Sequence, residues 1–365
     1  MKIVYLANIR FPTEKAHGYQ ISKMCEAFSD IGVEMEIIVP LRKNSVKVDP
    51  YEFYGVRRNF KTTFIKSFDF IKFGKMGFLL NGFLFYLKAS RLVKGRKVYS
   101  RDLISLFFFK NSIIEIHEWR KKTNLLKKFL LKRASFYIVL TSFLKKELLK
   151  IGIDERKILV SSDAVDLDKF LLNINQKEAR KKVGLPLDST IALYSGSFGL
   201  YPWKGTDIVL NAAKSYDKIT FVLVGGSKEE IEKLGCQYNY KNIILKERQT
   251  RDMVPYYLKS ADVLLLPNKK GDIVSELFTS PLKLFEYMAS GVPIVVSDLP
   301  YAREVLNEEN AVFFEPNNSE SLLLAIKKLL EDKDLATKIS ERSLIEIKNY
   351  SWKARAEKIL NFISQ

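Results

Sequence analysis

Short, almost wholly apolar segments recur along this sequence and alternate with stretches of helical periodicity. Segments such as VLLL at 263–266 and IVVS at 294–297 are typical of strands in parallel sheets that are covered on both faces. Strands that alternate with helices predict doubly wound α/β domains, and 365 residues are enough for two of them. The predicted strands are 2–8, 35–40, 97–100, 113–117, 135–140 and 157–161 in the first half, and 190–195, 219–224, 242–246, 263–266, 293–297 and 311–314 in the second.

The sequence divides into two Rossmann-like domains. We place the first at 1–172 and the second at 187–350. The segment between them, 173–186, is polar and lacks a strand pattern, so we interpret it as a linker. A C-terminal helix at about 351–365 lies outside the second domain and can pack back on the first. Two such domains are expected to face a central cleft and to bind ligands beyond the C-terminal ends of their strands.

Nearly all of the net positive charge lies in the first half of the chain. Residues 1–170 hold 33 Lys and Arg against 17 Asp and Glu, which is +16 of the total +18. Basic residues are interleaved with Phe, Leu and Ile at 60–97 and again at 125–137. This pattern is typical of surfaces that bind anionic membranes, although the same aromatic residues could instead pack in a core beneath solvated lysines. We therefore expect a cytoplasmic protein that associates peripherally with the inner face of the cytoplasmic membrane.

The sequence gives no support to several other classes of protein. The most apolar run, 76–87, is shorter than the about 20 residues that cross a bilayer, and no signal peptide is visible. Neither the two cysteines, Cys25 and Cys236, nor the two histidines show a metal-ligand spacing, so no metal site and no cofactor is predicted. The basic half lacks base-stacking motifs, so nucleic acid is not an expected partner.

The segment SPLKLFEYMASG at 280–291 has the pattern of a helix start that binds an anion. Pro281 suits a first helical turn, and Ser280 before it can cap free N–H groups. Lys283 adds a positive charge to that turn, and Glu286 follows on the same helix face. A diphosphate near Lys283 and a ribose diol on Glu286 would fit these residues. The alternative is an ordinary helix start with a surface ion pair.

A second candidate segment, YSGSFGLYPWKG at 194–205, follows a predicted strand. Its glycines allow the backbone to approach a phosphate closely, and Lys204 can neutralise the phosphate charge. The alternative is a strand-to-helix turn with a solvated lysine, because a single glycine-containing loop is weak support for phosphate binding.

Taken together, these segments resemble the retaining, nucleotide-sugar-dependent glycosyltransferases of family 4, which have the GT-B fold. The resemblance covers nearly the whole chain. It extends to the first β-α-β unit that begins MKIVYLANIRFPTEKAHGYQ, to EIHEW around His117, to SSDAVDLDKF before the linker, to the two segments above, and to NAVFFEPNNSESLLLAI and SWKARAEKIL near the end.

The resemblance implies a role for each matching residue. Lys204 would bind the donor's diphosphate, Glu286 would bind the ribose hydroxyls, and His117 would contact the donor sugar near the reacting carbon. Gly18 would let the first helix approach the phosphates. The remaining donor-binding candidates are Gly196, Ser197, Ser280, Pro281, Leu282, Lys283 and Leu284, and the less certain ones are His17, Arg248 and Glu276.

Two positions depart from the family pattern. A glutamate that many members carry falls here on Phe278, and an arginine of the phosphate loop falls on Ser197. We interpret Lys283 as the residue that supplies the missing charge. Glu276 or Asp272 could reach the sugar hydroxyls in place of the missing carboxylate.

The resemblance implies a hexosyl- or N-acetylhexosaminyl-transferase in cell-surface polysaccharide or glycolipid biosynthesis. Because protein cations can balance the diphosphate charge and no DxD-type pair stands out, we predict that it is metal-independent. The expected partners are a nucleotide sugar, a saccharide or lipid-linked acceptor, and an anionic membrane surface. His117, Lys204 and Lys283 are the catalytic candidates. The alternatives are a GT-B isomerase or hydrolase of nucleotide sugars and a noncatalytic basic binding protein. The sequence leaves the nucleotide, sugar, acceptor, linkage and oligomeric state open.

Overall fold

The computed structural model describes residues 1–67, 69–70, 73–119, 124–198 and 201–365. The chain forms two compact units, one made of Met1–Ser162 with Trp352–Gln365 and the other of Asp163–Ser351. None of the helices within these described residues is both long enough and apolar enough to cross a membrane.

The first unit is built on a seven-stranded parallel sheet with strand order β3-β2-β1-β4-β5-β6-β7. The order reverses between β1 and β4, which pair in parallel, so their C-terminal ends form the switch point at which such sheets bind ligands. The strands are β1 (Lys2–Leu6), β2 (Glu34–Leu41), β3 (Lys61–Lys66), β4 (Lys97–Ser100), β5 (Ile113–Ile116), β6 (Phe136–Val139) and β7 (Ile158–Val160). The helices are α1 (Ala16–Asp30), α2 (Pro50–Tyr54), α3 (Gly74–Ser90), α4 (Ser105–Phe108), α5 (Leu125–Leu131) and α6 (Ser142–Lys150).

Six of these seven strands were predicted from their apolar runs, and the edge strand β3 was not. In the pattern KTTFIK of β3 only Ile65 is buried, because an edge strand pairs with one neighbour and exposes much of its surface. A strand with so little buried apolar surface gives a weak signal in the sequence.

The second unit contains a six-stranded parallel sheet with the order β10-β9-β8-β11-β12-β13. Its switch point lies between β8 and β11, so the loops that follow these two strands meet at one edge of the sheet. The strands are β8 (Ile191–Ser195), β9 (Thr220–Gly226), β10 (Ile243–Glu247), β11 (Val263–Leu266), β12 (Ile294–Ser297) and β13 (Val312–Phe314). The helices are α7 (Leu167–Phe170), α8 (Gln176–Val183), α9 (Thr206–Ser215), α10 (Lys228–Gln237), α11 (Val254–Lys259), α12 (Leu282–Ser290), α13 (Pro300–Arg303), α14 (Ser319–Glu331) and α15 (Lys333–Glu346).

The segment interpreted as a linker, 173–186, lies inside the second unit and contains α8. Asn175 caps this helix in a reciprocal capping box with Glu178. The buried Arg180 donates to Asp262 at 2.8 Å and to the Ser260 carbonyl at 2.9 Å. The polar composition therefore belongs to an amphipathic helix docked on the second unit, and the boundary between the units lies after Ser162.

After the second unit the chain returns to the first unit as α16 (Trp352–Ile363). This helix packs against α1, and its buried face includes Trp352, Arg355 and Ala356. Tyr19 of α1 meets the Trp352 ring edge-on at 6.2 Å between ring centres. The last helix therefore completes one face of the first unit.

Candidate active site

The predicted site residues fall into two groups, one in each unit. Those in the second unit lie in the loops and turns that follow β8, β10 and β11, at the switch-point edge of its sheet. In the first unit, His17 and His117 line a cavity at the switch point of the other sheet, and Gly18 does not line it.

Helix α12 begins at Leu282 with Pro281 in the N-cap position, and no side chain caps its first turn. The predicted cap, Ser280, uses its hydroxyl to accept from the Asp163 backbone N–H at 2.9 Å. Ser280 therefore ties two segments of the second unit together. The Leu284 N–H donates to the Pro281 carbonyl at 2.9 Å, so the N–H groups of Leu282 and Lys283 are left for another acceptor. An anion is the acceptor that a helix start favours.

Lys283 extends from the first turn of α12 into the interior of the second unit. Its Nζ lies 4.0 Å from the centre of the Tyr194 ring and has no hydrogen-bond partner among the described residues. Burial, followed by the nearby Lys204, holds the pKa of the Lys283 amine well below its usual range. A Cβ at Gly196 would lie 2.8 Å from this Nζ, so the end of the lysine would have to shift, and the φ of +148° at Gly196 itself favours glycine.

Lys204 lies beside Lys283 in a 3₁₀ turn after β8. Its Nζ donates to Ser197 Oγ at 2.5 Å, so the residue that replaces the expected arginine contacts the predicted phosphate-binding lysine. Burial and then Arg248 lower the pKa of Lys204 to about 8. A Cβ on Gly205, which has φ of +71°, would lie 1.7 Å from the Pro267 carbonyl oxygen. Glycine is therefore needed where the loops after β8 and β11 cross.

Glu286 lies one turn along α12 from Lys283. Burial raises the pKa of its carboxyl group, against the smaller effects of Arg251 and Lys283. Arg251, in the loop after β10, approaches Glu286 with 3.7 Å between Nη1 and Oε1. The sequence analysis named Arg248 of this loop and missed Arg251. Spacing along the sequence does not reveal which arginine of a loop contacts a helix that follows a different strand.

The two candidate replacements for the missing carboxylate are engaged in their own loop. Glu276 accepts from the Gly271 N–H at 2.7 Å, and Asp272 accepts from the N–H groups of Val274 at 2.8 Å and Ser275 at 3.0 Å. Phe278 is buried at the end of the π-helical turn Val274–Phe278. These contacts shape the turn that leads into α12.

The first unit contains a cavity of about 780 Å³ at the C-terminal ends of β1, β4 and β5. Both histidines of the chain line it, and so do aromatic and apolar side chains from α3 and α5. Its polar lining consists of Asn8, His17, Gln20, Arg101, Asp102, Glu115, His117, Glu118 and Lys127.

His117 follows β5 and contacts Glu115 of the same strand, with 2.5 Å between Nε2 and Oε1. Burial and then Arg101 lower the pKa of His117 to about 4, and Glu115 opposes this shift. Burial, Arg101 and Lys15 likewise lower the pKa of His17 to about 4. Both imidazoles are therefore neutral near pH 7.

The structure gives Gly18 a local packing role. A Cβ at this position would lie 2.1 Å from Tyr54 Oη and 2.7 Å from Thr13 Cγ2. The Tyr54 hydroxyl accepts from the Thr13 N–H at 2.7 Å, so a side chain at Gly18 would displace this contact. The approach of α1 to a phosphate stays a prediction.

Within the described residues, no three His, Cys, Asp or Glu side chains cluster closely enough to hold a metal ion. At its switch point the second unit places the amines of Lys204 and Lys283 near each other, with Arg248 and Arg251 from the loop after β10.

Residues 175–344, all within the second unit, match the family model described as glycosyl transferases group 1. Similarity to solved structures shows the fold. Sucrose-phosphate synthase from Thermosynechococcus elongatus aligns with a TM-score of 0.75 at 17% identity, over 100% of this chain and 98% of that one. Anabaena Alr3699/HepE in complex with UDP and glucose aligns with a TM-score of 0.75 at 15% identity, over 100% and 99%. The prediction of two doubly wound parallel-sheet domains of the GT-B class is confirmed.

Relatives with curated descriptions have higher sequence identity to this chain than these structures do, but they align with it over a shorter length. The Escherichia coli UDP-Gal:alpha-D-GlcNAc-diphosphoundecaprenol alpha-1,3-galactosyltransferase is 29% identical over 200 residues, which is 51% of this chain and 48% of that protein. The putative colanic acid biosynthesis glycosyl transferase WcaI of E. coli K12 is 30% identical over 176 residues, or 45% and 42%. The chain spans about half the length of the curated relatives it matches.

Proposed function

We propose that this chain is a retaining, metal-independent glycosyltransferase that moves a sugar from a nucleotide-diphosphate donor to a saccharide or lipid-linked saccharide. The observation that carries the proposal is Lys283, a fully buried amine without a hydrogen-bond partner among the described residues, beside Lys204 and at the uncapped start of α12. Burial disfavours the charged form of such an amine, and an anion that enters beside it would stabilise the protonated form. The family match over 175–344 and the galactosyltransferase relative support the same reading.

In the proposed donor site the diphosphate and the ribose are bound by different groups. The diphosphate lies against Lys204, Lys283 and the first N–H groups of α12, and the ribose hydroxyls are bound by Glu286. As the bond to the sugar breaks, negative charge develops on the diphosphate, and these fixed donors stabilise it. The protein cations supply the charge that a metal ion would otherwise supply. In a retaining transfer the acceptor oxygen attacks from the face that the diphosphate leaves, and the departing phosphate can take its proton.

We assign the acceptor to the cavity of the first unit. The mouth of this cavity is lined by Phe78 and Leu79 of α3, which are 44% and 50% exposed. We use the term apolar surface for the exposed side chains of α3 and α5, namely Met76, Phe78, Leu79, Leu80, Phe83, Leu87, Leu125, Leu126 and Phe129. Lys88, Lys127 and Lys128 lie on the same two helices. Apolar side chains among lysines favour an anionic membrane surface, which would bring a lipid-linked acceptor to the cavity.

The activity is tested by release of nucleoside diphosphate from UDP-, GDP- and ADP-sugars, in EDTA, with and without a membrane-lipid extract. We expect release from one donor and a higher rate with the extract. Analysis of the sugar product separates transfer from hydrolysis and isomerisation. Failure of every donor to react, together with failure of every nucleoside diphosphate to bind, would contradict the proposal.

The membrane assignment is tested by sedimentation with vesicles. We expect binding to phosphatidylglycerol vesicles and little binding to phosphatidylcholine vesicles. The double variant Leu125→Ser/Leu126→Ser should lose most of this binding. The matched control is Leu324→Ser, which changes a 68% exposed leucine of the second unit and should bind normally. Equal binding by the two variants would rule out the apolar surface as the contact.

A further inference from the structure

Glu115 is a completely buried carboxylate at the cavity of the first unit, and it accepts from four different side chains. Arg101 Nη2 donates at 2.9 Å and Arg355 Nη2 at 3.1 Å. The Tyr99 hydroxyl donates to the other oxygen, Oε2, and His117 Nε2 lies 2.5 Å from Oε1. Arg355 is itself held by the Ser162 carbonyl at 2.7 Å.

These contacts decide the ionisation of Glu115. Burial raises the pKa of the carboxyl group, but the combined effect of Arg101, Arg355 and the His117 hydrogen bond holds that pKa well below its usual range. An ionised carboxylate can only accept hydrogen bonds. His117 must therefore carry its proton on Nε2 in order to make the 2.5 Å contact.

The second ring nitrogen of His117 is then fixed as well. The imidazole is neutral near pH 7 because burial and Arg101 lower its pKa to about 4. A neutral ring with a proton on Nε2 has a lone pair on Nδ1. Nδ1 makes no hydrogen bond to any described residue, and the side chain lines the cavity with 24% of its surface exposed.

We propose that Glu115 is a positioning residue that holds His117 as the Nε2–H tautomer, so that Nδ1 presents a hydrogen-bond acceptor to the cavity. The ligand of the cavity then places a hydrogen-bond donor, such as a hydroxyl group, against Nδ1. Arg355 completes this arrangement from α16, 240 residues away in sequence from the carboxylate it contacts. The tautomer follows from the contacts and charges around His117, whereas its effect on turnover rests on the function proposed above.

The tautomer can be measured directly, because the chain has two histidines. The full-length protein is labelled with ¹⁵N-histidine, and the His17→Gln variant assigns the remaining signals to His117. We expect two-bond ¹H–¹⁵N correlation spectra at pH 7 to show His117 with Nε2 protonated and Nδ1 unprotonated. The same pattern should persist as the pH is lowered to 5, with Arg101, Glu115 and Arg355 as the charged groups around the ring. A proton on Nδ1, an averaged pair of signals, or protonation near pH 6.5 would overturn the proposal.

The variant Glu115→Gln tests the cause of the tautomer. An amide can accept from Nε2 or donate to it, so the variant should populate both tautomers and lose at least tenfold in turnover. The control Tyr99→Phe removes another donor to the same carboxylate and leaves the His117 contact in place. It should keep the Nε2–H tautomer. A Glu115→Gln protein that keeps a single Nε2–H tautomer would show that other groups hold the ring.

The outcomes separate the two proposals. The Nε2–H tautomer in a protein that turns over no nucleotide sugar would uphold the positioning role and reject the glycosyltransferase. Turnover of a nucleotide sugar by a protein whose His117 carries its proton on Nδ1 would uphold the glycosyltransferase and reject the positioning role. The spectrum of the unmodified protein decides the tautomer even if Glu115→Gln does not fold.

Discussion

The two units hold buried charge in opposite ways. In the first unit the Glu115 carboxylate accepts from two arginines, a tyrosine and a histidine. In the second unit the Lys283 amine is equally buried but has no hydrogen-bond partner among the described residues. Removing one member of a buried ion-pair cluster leaves its partners uncompensated, whereas removing a buried amine that has no hydrogen-bond partner relieves a desolvation cost. The chain therefore supplies partners for the buried carboxylate of the first unit but none, among the described residues, for the Lys283 amine, which is the position that the proposed donor diphosphate would fill.

We expect the largest effect from Arg355→Met, which should lower the free energy of unfolding. The change leaves Glu115 buried with one guanidinium fewer, and breaking a buried pair typically costs about 3–5 kcal/mol. The free energy of unfolding from urea titration should fall by that order. The control Arg342→Met removes a 46% exposed arginine that pairs with Glu346 at 2.6 Å, and should change stability by less than about 1 kcal/mol. Similar losses of unfolding free energy in the two variants would show that the buried cluster around Glu115 stabilises the protein no more than an exposed ion pair does.

The second unit should respond in the opposite direction. Lys283→Met keeps the volume and removes the buried amine, so it should raise the free energy of unfolding by about 1–3 kcal/mol. The same variant should weaken nucleoside diphosphate binding about 100-fold, or about 2.7 kcal/mol. The control Lys327→Met removes a lysine that lies 3.9 Å from the Tyr216 ring, away from the site, and should bind normally. Calorimetry measures the binding. A destabilised Lys283→Met protein would mean that the amine is paired.

Acid should weaken the first unit more than the second. The pKa of His117 is about 6.5 in the unfolded chain and about 4 in the folded one. Between these values the unfolded state binds a proton that the folded state does not, so stability falls as the pH falls. His117 alone should cost about 2 kcal/mol between pH 7 and pH 5, and His17 acts in the same direction. Hydrogen exchange followed by mass spectrometry resolves the units. Equal loss of protection in both would contradict this assignment.

The smallest expected effect is on nucleotide binding, and it tests the proposed role of Glu286. The variant Glu286→Ala should weaken binding of a nucleoside diphosphate about tenfold, or about 1.4 kcal/mol, because the proposed ribose contact would be lost. The parent protein should therefore bind 2′- and 3′-deoxy nucleoside diphosphates less tightly than the ribose form, and the variant should not distinguish them. Unchanged affinity, or discrimination that persists in the variant, would remove Glu286 from the ribose site.

Much of the fold could be predicted because both sheets are covered on two faces, which makes most strands continuously apolar. The exceptions have physical causes. The edge strand β3 buries one side chain, and the helix in 173–186 is polar on its outer face. The helix did leave a signal, since Asn175 and Glu178 form a capping-box pair and Ala179 and Val183 recur at helical spacing.

The candidate site was predictable only in part. Lys204, Lys283 and Glu286 lie in segments whose local pattern suggests their chemistry. The network around Glu115 has no such pattern, because a carboxylate in an apolar strand does not specify its partners. Arg101 comes from the neighbouring strand end and Arg355 from 240 residues further along. Contacts that join distant segments depend on packing, which spacing along one sequence does not encode.

The return of the chain to the first unit through α16 has a consequence for how the protein is made. The first unit is interrupted after Ser162 and resumes at Trp352, so the second unit is an insertion within it. During translation, β5 and Glu115 are synthesised long before Arg355. All segments of the second unit have been synthesised while the first unit still lacks α16. Domains generally fold as units as the chain emerges. We therefore expect the part of the protein that is translated first to be the last to reach its native state.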